Sequence, residues 1–139
     1  MPAGALIIPN KAKLNFPAIL AATIGNLRVA LVGSGWTPDN TDTGHELWAD
    51  ASAFEVAAGN GYAAGGVAPA GVTFQLVSGT AVWSFSSASW LATGGDLPAW
   101  RRAVVYHLGT LGGKVNPILG HLLGDAADVD VPLTPSGTT

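Results

Sequence analysis

The sequence contains no cysteine, and only 11% of its 139 residues are charged. Without cysteine, the chain can form neither a disulfide bond nor a thiolate metal site. The basic residues are scattered and the formal net charge is −3, so we expect no phosphate-tracking surface and no nucleic-acid partner. No apolar run approaches the ~20 residues that a membrane helix needs, and the first residues lack the charged n-region of a secretory signal. We therefore expect no membrane association.

The sequence is rich instead in apolar and turn-forming residues. Hydrophobic residues make up 48%, and there are 19 glycines and 9 prolines. Glycine and proline at this density predict many turns between short strands. Ordinary soluble domains carry about a quarter charged residues, so a surface this poor in charge favours coverage by partners over contact with water alone. The length fits one domain with a modest core.

Several short segments alternate apolar and other residues with the period of a β-strand. The clearest is NLRVALVG at residues 26–33, where Leu27, Val29 and Leu31 share one face. The predicted strands are 26–33, 54–57, 62–68, 72–77, 81–85, 101–108, 117–123 and 129–133. Short strands spaced by turns predict a mainly β fold, an antiparallel β-sandwich or jelly roll forming a single domain over residues 11–133.

The remaining segments are predicted as an arm, short helices, a turn and a tail. Pro2 and Pro9 oppose a helix, so residues 1–10 are predicted as an extended N-terminal arm. Residues 11–22 have some helical character. The sequence from Thr43 to Glu46 fits a capping box and predicts a short helix near residues 44–52. Residues 60–61 (Asn-Gly) predict a hairpin turn, and residues 134–139 a flexible C-terminal tail.

The polar residues do not form a recognisable catalytic pattern. Acidic residues and a histidine cluster between Asp39 and Asp50, but their spacing matches no known metal loop, and turn acceptors on a solvated face explain them. The glycine-rich residues 59–64 precede a predicted strand rather than a helix, which disfavours a dinucleotide site. No nucleophile elbow accompanies the three histidines. We therefore predict no catalytic, cofactor or metal site and no enzymatic activity.

The tryptophans supply most of the candidate contact residues. Trp83 and Trp90 lie in strand-like surroundings and are predicted to pack in the core, whereas three others flank loops and are candidates for a protein interface or for stacking on sugars. Two arginines follow one of these tryptophans and offer a cation–π contact, and the arm presents two isoleucines. The interface candidates are Trp36, Trp48, Trp100, Arg101, Arg102, Ile7 and Ile8.

The order of these motifs resembles a family of small tailed-bacteriophage virion proteins. The resemblance rests on the strand NLRVALVG with the following WTPD (36–39), TGHELW (43–48), FEV (54–56), GNGY (59–62) and AGG (64–66). It continues through RAVVY (102–106), similar to the family's "ARYAVLY" strand, and PILG (117–120), similar to "PLIG". The ordered set covers roughly residues 11–123.

The resemblance implies a non-enzymatic virion structural protein, most simply a capsid decoration (cement) protein that binds across capsomers of the major capsid protein. It implies a location in the virion and a homo-oligomer, for which a trimer suits threefold positions on a shell. The N-terminal arm could extend onto a neighbouring subunit and order on contact. The alternatives are a head-fibre base, neck or tail component of the virion, a surface carbohydrate-binding module using Trp36, Trp48 or Trp100, and a metal-assisted hydrolase around His45 and Glu46.

Overall fold

The computed structural model describes residues 3–12, 26–78 and 80–133, and for residues 74–77, 80–83 and 133 it describes the backbone only. Two short 3₁₀ turns, at Trp48–Asp50 and Ser52–Phe54, follow the first strand. The strands in chain order are β1 (Leu27–Val32), β2 (Thr73–Val77), β3 (Thr80–Ser84), β4 (Leu97–Trp100), β5 (Arg102–His107), β6 (Thr110–Leu111), β7 (Lys114–Val115), β8 (Ile118–Leu123) and β9 (Val131–Leu133). Among the described residues, no helix has the length and apolar character needed to cross a membrane.

The centre of the fold is an antiparallel three-stranded sheet in the order β1-β5-β8. In its register Val29 lies opposite Val105, and Val104 lies opposite His121. A register shift interrupts the pairing of β5 with β8 between Val105 and Tyr106. Because the middle strand, β5, comes late in the chain, its pairing with β1 joins residues seventy or more positions apart.

Both faces of the central sheet are buried, which explains why its strands are nearly continuous apolar runs. Val29, Leu31 and Val105 lie on one face, in a hydrophobic cluster that we call the front core. Ala30 and Val104 lie on the other face, in a second cluster that we call the back core. The front core also contains Leu27, Val56, Tyr62, Trp90, Ala92, Leu97, Trp100, Ala103, Leu119 and Val131, and the back core contains Val32, Trp36, Trp48, Ala51, Tyr106 and Ile118.

The outer edge of β8 is covered by the N-terminal residues of the same chain. The Ile7 N–H donates to the His121 carbonyl at 2.6 Å, and the His121 N–H donates back to the Ile7 carbonyl at 2.9 Å. The Gly4 N–H donates to the Leu123 carbonyl at 3.0 Å. The arm therefore satisfies backbone groups that an open edge would leave unpaired. Sequence reasoning allowed the arm to reach a neighbouring subunit, but its described residues pack on their own sheet.

The outer edge of β1 is covered by two further segments. Val29 exchanges both backbone hydrogen bonds with Val67, at 2.8 and 3.0 Å. The Val56 N–H donates to the Leu31 carbonyl at 3.0 Å, and Val32 forms an antiparallel bridge with Glu55. The central sheet consequently offers no long open edge among the described residues, so edge-to-edge pairing of this sheet with another subunit is not available without local rearrangement.

The prediction of a mainly β, antiparallel fold is confirmed. Predicted strands at 26–33, 72–77, 81–85, 101–108, 117–123 and 129–133 correspond to β1, β2, β3, β5, β8 and β9. The strands β4, β6 and β7 were missed. The sandwich or jelly-roll arrangement is not confirmed, because the described strands form one three-stranded sheet and three two-stranded sheets, β2-β3, β4-β9 and β6-β7.

Two predicted strands are wrong. Residue 54 is the last residue of a 3₁₀ turn, and in the rest of this segment the only strand-like pairing described is an isolated bridge at Glu55. Residues 62–68 are interrupted by Gly65 and Gly66, whose φ angles of 86° and 80° are incompatible with a continuous strand. The hairpin turn predicted at residues 60–61 is confirmed, because both residues have positive φ and Gly59 exchanges hydrogen bonds with Tyr62.

The predicted helix near residues 44–52 is present only as the two 3₁₀ turns, and it does not start at Thr43. The Asp50 carboxylate accepts hydrogen bonds from the Glu46 and Leu47 N–H groups, each at 2.9 Å. The Asp50 carboxylate, inside the first turn, therefore satisfies the Glu46 N–H that the Thr43 hydroxyl was expected to satisfy, together with the next N–H. Residues 10–12 are helical, but the rest of the helix predicted over 11–22 and the tail at 134–139 lie outside the described residues.

Candidate functional site

The densest polar contacts on the back face occur where β8 meets the loop after β1. The Trp36 ring stacks on the His45 ring with a centroid distance of 5.7 Å, and it makes a T-shaped contact with the His121 ring at a centroid distance of 5.4 Å. The His121 Nε2 atom lies 3.0 Å from the Asn40 Oδ1 atom. We call Trp36, Asn40, His45 and His121 the histidine–tryptophan cluster. The cluster joins the loop after β1 to strand β8 at His121, whose backbone also pairs with the N-terminal arm.

His121 is fully buried and is held neutral by its surroundings. Burial, with smaller contributions from the neighbouring Arg102 and His45, lowers the pKa of its imidazole to about 4. In the tautomer with the proton on Nε2, His121 donates a hydrogen bond to the Asn40 Oδ1 atom. The Nδ1 atom is then unprotonated, and it has no hydrogen-bond partner in the described structure. A neutral histidine in this position acts as a structural hydrogen-bond donor.

The loop that carries Asn40 is shaped by Asp39. The Asp39 carboxylate accepts from the Thr41 hydroxyl at 2.8 Å and from the Thr41 N–H at 3.0 Å, and these bonds lower the pKa of the carboxyl below its ordinary value. The Asp39 N–H donates to the His45 Nδ1 atom at 3.0 Å. Gly44 is required here because a Cβ atom would overlap the Asp39 carbonyl oxygen. The Asn10 amide reaches the Asp42 carboxylate at 2.6 Å and ties the arm to this loop.

This arrangement does not resemble a metal or hydrolytic centre. Within the described residues, no group of three or more His, Cys, Asp or Glu side chains could hold a metal ion. The His45 ring is stacked on Trp36, and the Glu46 carboxylate forms an ion pair with Lys114 at 3.0 Å. The two residues proposed for a metal-assisted hydrolase are therefore engaged in separate structural contacts.

The three tryptophans selected as interface candidates are buried, which corrects the expectation that they are exposed at loops. Trp36, Trp48 and Trp100 are 3%, 8% and 6% exposed. Trp48 stacks almost parallel on Tyr106 at 4.8 Å, so its ring covers the back face of the sheet. A ring that flanks a loop in sequence can still turn onto a sheet face, where its large apolar area is best buried. None of the three offers an open ring face to a sugar.

The two arginines selected as interface candidates pair with acidic residues near the C-terminal end. The Arg101 Nε atom lies 2.9 Å from the Asp130 carboxylate, and both Arg101 and Arg102 approach Asp128, at 3.7 and 3.6 Å. The guanidinium groups therefore face carboxylates rather than the Trp100 ring. These partly exposed pairs hold the segment before β9 against the sheet, at modest energetic gain.

The two isoleucines of the arm differ from each other. Ile7 is 38% exposed, whereas Ile8 is half-buried and the following Pro9 is buried. Ile7 thus remains a surface residue available for contact. Of the seven selected residues, it presents the largest apolar surface.

The feature that sequence reasoning missed is a long uncharged part of the surface. Residues 56–95 contain no Asp, Glu, Lys, Arg or His, although many of them are exposed. We call the exposed part of this segment the uncharged face. Among the side chains of this segment that the structure describes, Leu91 is the most exposed large apolar one, at 54%. The signal was present in the sequence, because the few charges of the chain all fall outside this segment.

No protein-family model, no curated protein and no solved structure matches this chain. The resemblance to tailed-phage virion proteins therefore stays a prediction that rests on the ordered motifs alone, and the fold has to be interpreted from its own geometry.

Proposed function

We propose that this chain is a capsid decoration protein of a tailed bacteriophage, which binds the major capsid protein through the uncharged face. The observation that supports the proposal is the combination of exposure and missing charge over residues 56–95. The ordered motifs that resemble phage virion proteins supply the identity of the partner. The chemistry is non-covalent adhesion and alters no substrate.

The composition of the uncharged face suits permanent contact with another protein. Its exposed small residues include Ala57, Ala58, Ala63, Ala64, Ala68 and Ala70. Alanine loses almost no side-chain entropy on burial, and a face without ions incurs no ionic desolvation penalty. Depletion of charge is also what distinguishes the centre of a protein interface from its rim. Burying the uncharged face against another protein therefore costs little free energy, whereas the same face contributes little to solubility.

The rest of the molecule supports a rigid module rather than an adaptable one. Both faces of the central sheet carry buried hydrophobic clusters, and both of its edges are covered by the same chain. A rigid subunit loses little conformational entropy when it binds. Many weak contacts on one shell act together, and a trimer at threefold positions would present three such faces to the surrounding capsomers.

The experiment is a binding measurement on assembled shells with a matched pair of variants. We would count the copies per particle by quantitative mass spectrometry and locate them by electron microscopy. Leu91→Glu places a carboxylate on the uncharged face, whereas Val129→Glu makes the same change at a residue 48% exposed in the acidic C-terminal region. We expect Leu91→Glu to weaken shell binding by about tenfold or more, a cost of roughly 1.4 kcal/mol, and Val129→Glu to leave it near the wild-type value.

Three results would reject the proposal. Failure of the wild-type chain to bind shells would reject decoration altogether. A dozen or fewer copies at one vertex would favour a neck, tail or fibre-base component instead. Equal binding by both variants would remove the uncharged face from the contact.

A further inference from the structure

A cavity of about 190 Å³, partly open to solvent, lies on the front face of the central sheet. Its floor consists of one side chain from each strand of that sheet, namely Val29 from β1, Ala103 from β5 and Leu122 from β8. The register places Ala103 directly opposite Leu122. The small Ala103 side chain in the middle strand leaves room above the sheet that a larger residue would fill.

The walls of the cavity come from the segment after β3 and from the end of β4. Phe85, Ala88 and Trp90 come from the first of these segments, and Trp100 comes from the second. Trp90 is also stacked on the Tyr62 ring at a centroid distance of 6.3 Å. The contact with Tyr62, which lies outside the cavity, thus helps to fix the position of the Trp90 ring in the cavity wall.

Two further contacts keep the walls from closing on the empty space. The Ser86 N–H and hydroxyl both donate to the Ala70 carbonyl at 2.9 Å, which anchors the segment that carries Phe85 and Ala88. The Trp100 ring lies over Gly124 so closely that a Cβ atom there would be 2.7 Å from the ring. Because each wall is fixed from outside the cavity, local collapse that would remove the space is opposed.

The chemistry of the lining selects the kind of molecule that fits. All of the lining side chains are apolar, so the cavity offers no counter-ion and no carboxylate, amide or hydroxyl to hold water. The indole N–H groups of Trp90 and Trp100 are buried and have no acceptor in the described structure. A dry apolar cavity of about 150 Å³ is sufficient to bind benzene. Tryptophan rings prefer offset or edge contacts with another ring, and an unpaired indole N–H can also donate to a ring face.

We propose that this cavity is a binding site for a small, uncharged aromatic molecule about the size of toluene. The inference rests on the cavity and its lining alone, so it is independent of the capsid role. The ring lies between Trp90 and Trp100, above Ala103. A charged group on the same ring prevents binding, because nothing in the lining replaces the water that an ion would lose.

The test is a thermal-melting titration of the full-length chain with toluene, with benzoate as the charged counterpart of the same ring. We expect the melting temperature to rise with toluene and to follow a saturable binding curve. At ten times the dissociation constant the rise should be about 5 °C for a chain of this size. Benzoate should give no such rise. Absence of a toluene effect, or an equal effect of benzoate, would overturn the proposal.

A pair of variants locates the binding site. Ala88→Leu fills the cavity from its wall and should abolish the toluene effect without lowering the melting temperature. Ala99→Leu makes the same change at an exposed position in β4 that does not line the cavity, and it should preserve the effect. If Ala88→Leu does not fold cooperatively, Ala103→Val fills the floor instead.

An undiminished toluene effect in a folded filling variant would place binding elsewhere and overturn the proposal. Sedimentation of the wild-type chain and the filling variant separates the remaining explanation. If the wild-type chain self-associates and the filling variant does not, a side chain of a second copy occupies the cavity. That result would also overturn the proposal that the cavity binds a free molecule.

Discussion

Acidification should destabilise this protein through His121. The pKa of the buried imidazole is lowered to about 4 by burial, Arg102 and His45, whereas in an unfolded chain the imidazole has its ordinary pKa of 6.5. Between these two values the unfolded state binds a proton that the folded state does not bind. The free energy of unfolding therefore falls as the pH decreases from about 6.5 to about 4.

The difference of about 2.5 pKa units, at 1.36 kcal/mol per unit, corresponds to roughly 3 kcal/mol over the whole window. The ring is 0% exposed, so solvent screening does not reduce this figure as it would at a surface site. At pH 4.5 most of the loss, about 2 to 3 kcal/mol, should be present. Such a loss is a large fraction of the stability of an ordinary domain.

Urea denaturation followed by circular dichroism at pH 7.5 and pH 4.5 measures this loss. Two variants isolate its origin. His121→Gln keeps an amide donor for Asn40 but removes the titrating group, and it should be less sensitive to pH by about 2 kcal/mol. Asn40→Asp places a carboxylate next to Nε2, which should raise the pKa of His121 and also reduce the loss at pH 4.5. The same loss of stability in the wild type and in His121→Gln would refute the reasoning.

Further predictions concern two tyrosines and two glycines. Tyr62→Phe should cost about 2–3 kcal/mol, because the Tyr62 hydroxyl accepts a backbone N–H of β1 and donates to a carboxylate. Tyr106→Phe loses only a hydrogen bond to a carbonyl and should cost about 1 kcal/mol in the same urea assay. Equal costs would contradict this assignment. Gly66→Ala should cost more than about 3 kcal/mol, because its Cβ would overlap the Val29 carbonyl of β1. Gly113→Ala, with positive φ but open space around it, should cost only about 1 kcal/mol, and a similar loss at both glycines would disprove the steric argument.

The local sequence pattern was sufficient to predict a strand where the environment of the segment is uniform along its length. Residues 26–33 and 101–108 are apolar on both alternating faces, so they were predicted as strands before their partners were known. The hairpin turn at residues 60–61 was also predictable, because its Asn-Gly pair tolerates the positive φ that the turn requires. The shorter β6 and β7 span two residues each, too few for any period to be visible.

Burial was less accessible to sequence reasoning than strand position. Trp36 and Trp48 flank loops and were assigned to the surface, yet both rings pack on the back face of the sheet. A side chain's position in the chain does not specify which distant surface it will cover. The arm illustrates the same limit, because its pairing with β8 joins Ile7 to His121, more than a hundred residues later.

The amino-acid sequence alone determined that this protein is a mainly β chain with few charges, no thiol chemistry and many tight turns, because these properties follow from composition and local alternation. Only the tertiary structure decided which groups meet. It buried the tryptophans, closed both edges of the central sheet, made His121 neutral and left a cavity above Ala103. The physical reason is that burial, desolvation and empty volume belong to sets of residues brought together by folding, and no short segment of the chain contains such a set.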